Sequence, residues 1–161
     1  MSFSIDGKTV IVTGAANGIG AALARHFAEN GANVMCADID EKALKKDLGE
    51  SADDSNVRYF AGDLREKLTL ANLLSATVDA FDRVDVLVNA SRQMATTDPL
   101  DMDDETVEKL LQQNLMTSLR LSQMVAKRMI KQDEEQDHEF AGTIINLSSI
   151  AARLTQPELL A

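Results

Sequence analysis

The chain has 161 residues, with 26 acidic against 16 basic side chains, a formal net charge of -10, one cysteine and no tryptophan. That length suits one domain with a real core, since chains of about 150 residues bury about two thirds of their unfolded surface. The acidic balance argues against bulk nucleic-acid binding, which needs a cationic face, and a single thiol builds neither a disulfide framework nor a cysteine-rich zinc site.

In chain order, short apolar runs alternate with longer amphipathic stretches. Residues 8–13 (KTVIVT) form a β-branched run that reads as a buried parallel strand. After a glycine-containing turn, residues 19–30 carry Ile19, Leu23 and Phe27 on one helical face, and Gly31 supplies the helix stop. Residues 33–37 (NVMCA) are the second strand, and 41–48 a polar helix behind Asp40. Residues 57–61 (VRYFA) are the third strand, followed by a helix over about 66–81. Residues 84–88 (VDVLV) are a fourth strand with both faces covered, 103–131 one long helix, and 143–147 (TIINL) a fifth strand. Strand and helix alternating throughout means an α/β fold, a doubly wound parallel sheet with helices on both faces. No linker, repeat or low-complexity segment divides it, so residues 1–161 are expected to form a single domain. The acidic runs 101–105 and 133–139 read as a charged helix start and a solvated loop, without metal-ligand spacing. No apolar run reaches the ~18 residues of a membrane span, and the start MSFSIDGKTV lacks a signal peptide's apolar core. A cytoplasmic protein is expected.

The turn Thr13-Gly14-Ala15-Ala16-Asn17-Gly18-Ile19-Gly20 lies between the first strand and the first helix. A phosphate-binding turn needs glycines there for three reasons: a tight bend, close approach of a pyrophosphate to backbone, and close packing of the helix on the sheet. The helix N-terminus then offers N–H groups and a positive dipole end to the phosphates. Asp38 lies 18 residues past Gly20, at the end of the second strand, where a carboxylate can accept both adenosine-ribose hydroxyls and repel a 2′-phosphate. NAD is therefore favoured over NADP, and no Arg or Lys follows Asp38 until Lys42. A plain tight turn and a merely solvated Asp38 are the bland alternatives.

These residues resemble the short-chain dehydrogenase/reductase family, whose cofactor signature has the spacing of Thr13-Gly14, Gly18 and Gly20 within a Rossmann-like fold. The likeness runs on through Gly62-Asp63-Leu64, Asp85-Val86-Leu87-Val88-Asn89-Ala90, Gln113-Asn114-Leu115 and Gly142-Thr143-Ile144-Ile145-Asn146-Leu147-Ser148-Ser149. The resemblance implies an oxidoreductase that moves a hydride between nicotinamide and a small-molecule alcohol or carbonyl substrate. It assigns cofactor binding to Gly14, Ala16, Asn17, Gly18, Ile19, Gly20, Asp38, Ile39, Asp63, Leu64, Asn89, Ala90 and Ser91. An aspartate at the Asp63 position meets the adenine edge in the family. It gives Asn114 a water in the proton path and makes Ser149 the hydroxyl that bonds the substrate oxygen, with Ser148 the runner-up. Strand-end serines satisfying backbone groups and a helix-kink asparagine are the structural alternatives.

Two departures stand out. Asn89-Ala90-Ser91-Arg92 puts Arg92 where the family has glycine, so that its side chain either crowds the nicotinamide side or turns outward to substrate. The family's general acid/base, a tyrosine in a Tyr-Xaa-Xaa-Xaa-Lys motif about a dozen residues beyond the serine, is expected just past Ala161. The one tyrosine present, Tyr59, sits on the third strand and reads as packing. The expectation is therefore the N-terminal two thirds of a family domain, incomplete at its C-terminus and inactive alone. The competing reading is a naturally short, non-catalytic dinucleotide sensor or interaction module. A methyltransferase on the same fold suits neither the Gly-Ile-Gly turn nor the Asn–Ser set.

His26 and His138 read as surface residues without ligand spacing, and no metal is expected. Cys36 reads as a small buried hydrophobe. The patterns Asn89-Ala90-Ser91 and Asn146-Leu147-Ser148 fit glycosylation acceptors but lie at strand ends without a secretion signal. The long helix 103–131 is apolar on more than one face, so a homo-oligomer (dimer or tetramer) through it is expected, with burial by a C-terminal portion of the chain as the alternative.

Overall fold

A computed structural model describes residues 4–48, 56–95, 100, 105–136, 141–150 and 153–154. Five strands form one parallel sheet: β1 (Thr9–Thr13), β2 (Asn33–Asp38), β3 (Val57–Ala61), β4 (Val86–Asn89) and β5 (Thr143–Asn146), in spatial order β3-β2-β1-β4-β5. The order reverses at β1, whose neighbours are β2 on one side and β4 on the other. Ligands of open α/β sheets bind at such a reversal, outside the carboxyl ends of the strands.

The period of two along the strands divides the core into two layers. Val10, Val12, Val34, Cys36 and Val88 point to one face and pack with Ala24 of α1 (Gly18–Glu29) and Leu44 of α2 (Glu41–Leu48). Ile11, Met35 and Leu87 point to the other and meet Leu70 and Leu73 of α3 (Lys67–Phe81). Leu121, Val125 and Met129 of α5 (Thr117–Gln136) complete that second layer. Leu121 and Val125 are fully buried, so truncating either to alanine removes about 2–4 kcal/mol of stability.

The long helix expected over 103–131 is three segments: α4 (Thr106–Leu110), a π-helical turn (Leu111–Met116) and α5. The π-turn is visible at Thr117, whose backbone N–H and Oγ1 both donate to the Gln112 carbonyl, five residues back. Residues 103 and 104 lie outside the described residues. At the other end α5 runs to Gln136, so the acidic run expected as a loop from Asp133 begins inside the helix. Glu and Gln are good helix formers, and buried Gln132 anchors the preceding turn by accepting from Val84 N–H at 3.0 Å and donating to Val84 C=O at 2.9 Å. Residues 137–139, with His138, lie outside the described residues.

Leu111, Leu115, Leu119 and Ile130 stay exposed on this helical unit, so its second apolar face has no cover within the described chain. β5 is an edge strand, with only Ile144 packing inward. Cys36 is buried, and Tyr59 packs at the edge of the first layer beneath Lys45. Among the described residues no helix is long and apolar enough to cross a membrane.

Candidate functional site

The expected turn forms at the carboxyl end of β1. Gly14 has φ +68°, and a Cβ there would lie 2.8 Å from the Ser91 Cα, so only glycine lets the turn press against the segment after β4. A Cβ on Gly20 would lie close against the Gly14 carbonyl, which explains the third glycine as helix-to-turn packing. Gly18 differs: at φ +53° its Cβ position faces open space. Asn17 makes no side-chain cap hydrogen bond, and the first turn of α1 carries no acid. The N-terminal N–H groups of α1 are thus left to an anion, with the positive end of the helix dipole behind them.

Asp38 closes the adjacent side. Its carboxylate accepts from Ala16 N–H at 3.1 Å and Asp40 N–H at 3.1 Å, tying the end of β2 to the glycine turn. A carboxylate has about four lone-pair directions, so two remain for a ligand. Ile19, in the turn, and Ile39, directly after Asp38, are about two-thirds exposed apolar surfaces. The open Gly18 face, the uncapped helix start and the anchored carboxylate are groups that could hold a dinucleotide, with N–H donors for phosphates and a carboxylate for hydroxyls.

Asp63 follows β3, and its carboxylate is held by Arg65, whose Nε donates at 2.9 Å and whose backbone N–H donates at 3.0 Å. That hydrogen-bonded guanidinium keeps the Asp63 carboxyl below the usual carboxylate range, against a smaller opposing effect of burial. Leu64 is buried in the second layer. Nothing in the sequence pattern flagged Arg65.

On the β4 side a polar network fixes the backbone. Thr13 Oγ1 accepts from both Ala90 N–H and Ser91 N–H at 3.1 Å. Asn89 is buried and donates from Nδ2 to Ser122 Oγ at 3.0 Å and to Asn146 Oδ1 at 2.9 Å, stitching β4 to α5 and β5. Gln113 Nε2 donates to Ser91 Oγ at 3.1 Å. Asn114, inside the π-turn, accepts at Oδ1 from Gln93 N–H at 2.8 Å and donates from Nδ2 to Gln93 C=O at 2.9 Å. One donor hydrogen and one lone pair of its amide are thereby engaged with backbone as a clamp, and one of each remains. The Leu147 N–H donates to the Asn89 carbonyl at 3.3 Å, which sets exposed Ser148 and Ser149 just beyond the end of β4.

The structure thus gathers the turn residues 14–20, Asp38 and Ile39 around the carboxyl ends of β1 and β2. Asn89, Ala90, Ser91, Asn114 and the two serines gather on the β4–β5 side. Thr13, Arg65, Gln113 and Ser122 are partners to which pattern reading gave no role; Thr13, directly before the glycine turn, and Gln113, beside Asn114, did lie within motifs that carry the family resemblance. Among the described residues no group of three His, Cys, Asp or Glu is placed to hold a metal.

Comparison with known proteins bears on this architecture. A short chain dehydrogenase profile matches residues 8–161. An uncharacterized oxidoreductase of Thermotoga maritima is 32% identical over 155 residues, covering 96% of this chain and 58% of that protein. A D-threitol dehydrogenase of Mycolicibacterium smegmatis is 34% identical over 155 residues, covering 93% and 55%. An NAD-dependent glycerol dehydrogenase of Listeria innocua is 29% identical over 150 residues, covering 93% and 56%. The chain therefore spans little more than half the length of these relatives. With the parallel sheet, the glycine turn and the profile match in agreement, the chain belongs to the short-chain dehydrogenase family.

Proposed function

We propose that these residues form the dinucleotide-binding part of an NAD-dependent oxidoreductase acting on the CH–OH or C=O carbon of a small alcohol or carbonyl compound. Asp38 carries the reading: its carboxylate is anchored by Ala16 and Asp40 beside the turn, with lone pairs left for a ribose diol. The same negative charge disfavours a 2′-phosphate. The similar NAD-dependent glycerol dehydrogenase of Listeria innocua supports the same choice.

A nicotinamide dinucleotide, when bound, supplies hydride donation or acceptance. The chain's own residues bind and orient. Gly14, Asn17, Gly18, Ile19 and Gly20 present the turn and the first N–H groups of α1 to the pyrophosphate, while Ala16 spends its N–H on Asp38. Ile39 would flank the adenosine of a bound dinucleotide, and Asp63 with Leu64 would meet its adenine edge. Asn89, Ala90 and Ser91 shape the nicotinamide end. The Ser149 hydroxyl donates to the substrate oxygen, stabilising negative charge that develops there, with Ser148 as the alternative donor. Asn114 locks residue 93 in place and, through its remaining donor hydrogen and lone pair, holds the water of the proton path.

The proton-transfer tyrosine that the family motif calls for is not among the 161 residues, since Tyr59 lies on β3. These residues alone are expected to bind cofactor with little turnover. The exposed apolar face at Leu111, Leu115 and Leu119 supports a homo-oligomer, which sedimentation of the full-length protein would reveal, and a monomer there would contradict. The function is tested by adding the protein to NADH and following nicotinamide fluorescence. A saturable change with one site per chain is expected; no binding would overturn the proposal.

A further inference from the structure

We infer that Arg92 is an anion-binding residue at the substrate end of the site, so that the substrate carries a carboxylate or phosphate besides its reacting alcohol or carbonyl group. The inference rests on the dinucleotide reading above and narrows it.

Backbone on both sides of Arg92 is fixed. On one side Ser91 donates its N–H to Thr13 Oγ1 and accepts at Oγ from Gln113 Nε2, both at 3.1 Å. On the other, Gln93 is clamped by the Asn114 amide at 2.8 and 2.9 Å. Arg92 itself is exposed, makes no described hydrogen bond or ion pair, and takes no left-handed backbone conformation. The stretch from Val86 to Ala95 contains no carboxylate that could occupy it, and the chain as a whole has a net charge of -10. Among the described residues this guanidinium, on a tethered loop, has no partner, in a chain where acids outnumber bases.

Position in the fold decides which anion it meets. β4 lies between β1 and β5, so residues 90–93 leave the sheet on the opposite side of the glycine turn from Asp38. Asn89, three residues earlier, bonds to Asn146, and Leu147 pairs with Asn89 just before Ser148 and Ser149. Arg92 therefore follows a residue tied to the turn and precedes one tied to Asn114, on the β4–β5 side that the proposed function gives to substrate. The pyrophosphate instead has the α1 N–H groups. A guanidinium offers a planar fork of donors that matches a carboxylate or phosphate in bidentate fashion, and an exposed one loses little solvation in doing so. Glycine at this place, the residue that the family resemblance leads one to expect, could do none of this.

The test uses the chain saturated with NAD, with pyruvate as anionic probe and acetone as its neutral counterpart, read by ligand-observed NMR on their methyl groups. Pyruvate is expected to bind and acetone to bind at least about tenfold more weakly, the value of one charge-assisted contact of about 1.4 kcal/mol. Arg92→Gln should weaken pyruvate by about tenfold while leaving NAD affinity within about twofold, and Arg92→Lys should retain part of the binding. Matching denaturant curves for the variants confirm that the fold is intact. Equal binding of pyruvate and acetone, or unchanged pyruvate binding in Arg92→Gln, overturns the inference. So does a loss of NAD affinity with pyruvate unaffected, which would make Arg92 a pyrophosphate contact. A protein that binds NAD but neither probe overturns this inference alone, whereas one that does not bind NAD overturns the proposed function as well.

Discussion

The side chain of Asn114 grips both backbone groups of Gln93, accepting from its N–H at 2.8 Å and donating to its C=O at 2.9 Å. The contact crosses from the π-turn to the loop after β4, and so couples a helix irregularity to the placement of the segment that packs against the glycine turn. A π-turn re-aims side chains relative to a regular helix, and such turns recur at functional sites.

Asn114→Ala removes two hydrogen bonds from an exposed pair, so the global cost is expected to be only about 1 kcal/mol. The local effect should be larger. Amide exchange at Gln93 should speed markedly while exchange in β1 and β2 stays slow, and equal protection at Gln93 in both proteins would show that the clamp holds nothing.

Gly14 and Gly18 separate stability from binding. Gly14→Ala places a Cβ 2.8 Å from the Ser91 Cα at a left-handed φ, with only backbone to yield, so a loss of about 2–4 kcal/mol is expected in denaturant unfolding. Gly18→Ala meets open space and carries only the left-handed penalty of about 1–2 kcal/mol, yet its methyl group stands on the face offered to the pyrophosphate. NADH affinity should therefore fall out of proportion to stability in Gly18→Ala. Parallel losses in both variants would contradict that division.

Burial pushes the Cys36 thiol up to about 12. The folded value lies above the unfolded one, near 8.5, so this group's contribution to stability is fully present below about pH 8.5 and is lost as pH rises toward the folded value. A thiol reagent at pH 8 should leave the native protein unmodified and label it on unfolding. Rapid labelling of native protein would place Cys36 elsewhere than in the sheet.

Much of this architecture was legible in the residues. β-branched runs such as Val10-Ile11-Val12 are buried on both faces, as strands of a parallel sheet covered by helices on both sides require. The glycine turn and Asp38 were legible because strained φ and close approach leave few residue choices. Boundaries were less so: β4 begins at Val86 rather than Val84, since both backbone groups of Val84 go to the Gln132 side chain, and ladder-like backbone bonds to Thr9 and Thr143 start only at Asp85. The π-turn was invisible, because Leu111–Met116 has ordinary helical composition and the extra residue is accommodated by contacts to Gln93 and Ser91, distant in sequence. Arg65 on Asp63 was equally hidden, as a charge two residues away has no fixed partner in sequence alone.

The central claim, an NAD site read by Asp38, is tested most directly by calorimetric titration of the wild-type chain and of Asp38→Ala with NADH and with NADPH. The account predicts NADH binding at least about tenfold tighter than NADPH in the wild type, with that ratio collapsing toward unity in Asp38→Ala. NADPH binding as tightly as NADH, with discrimination unmoved by the substitution, would contradict it.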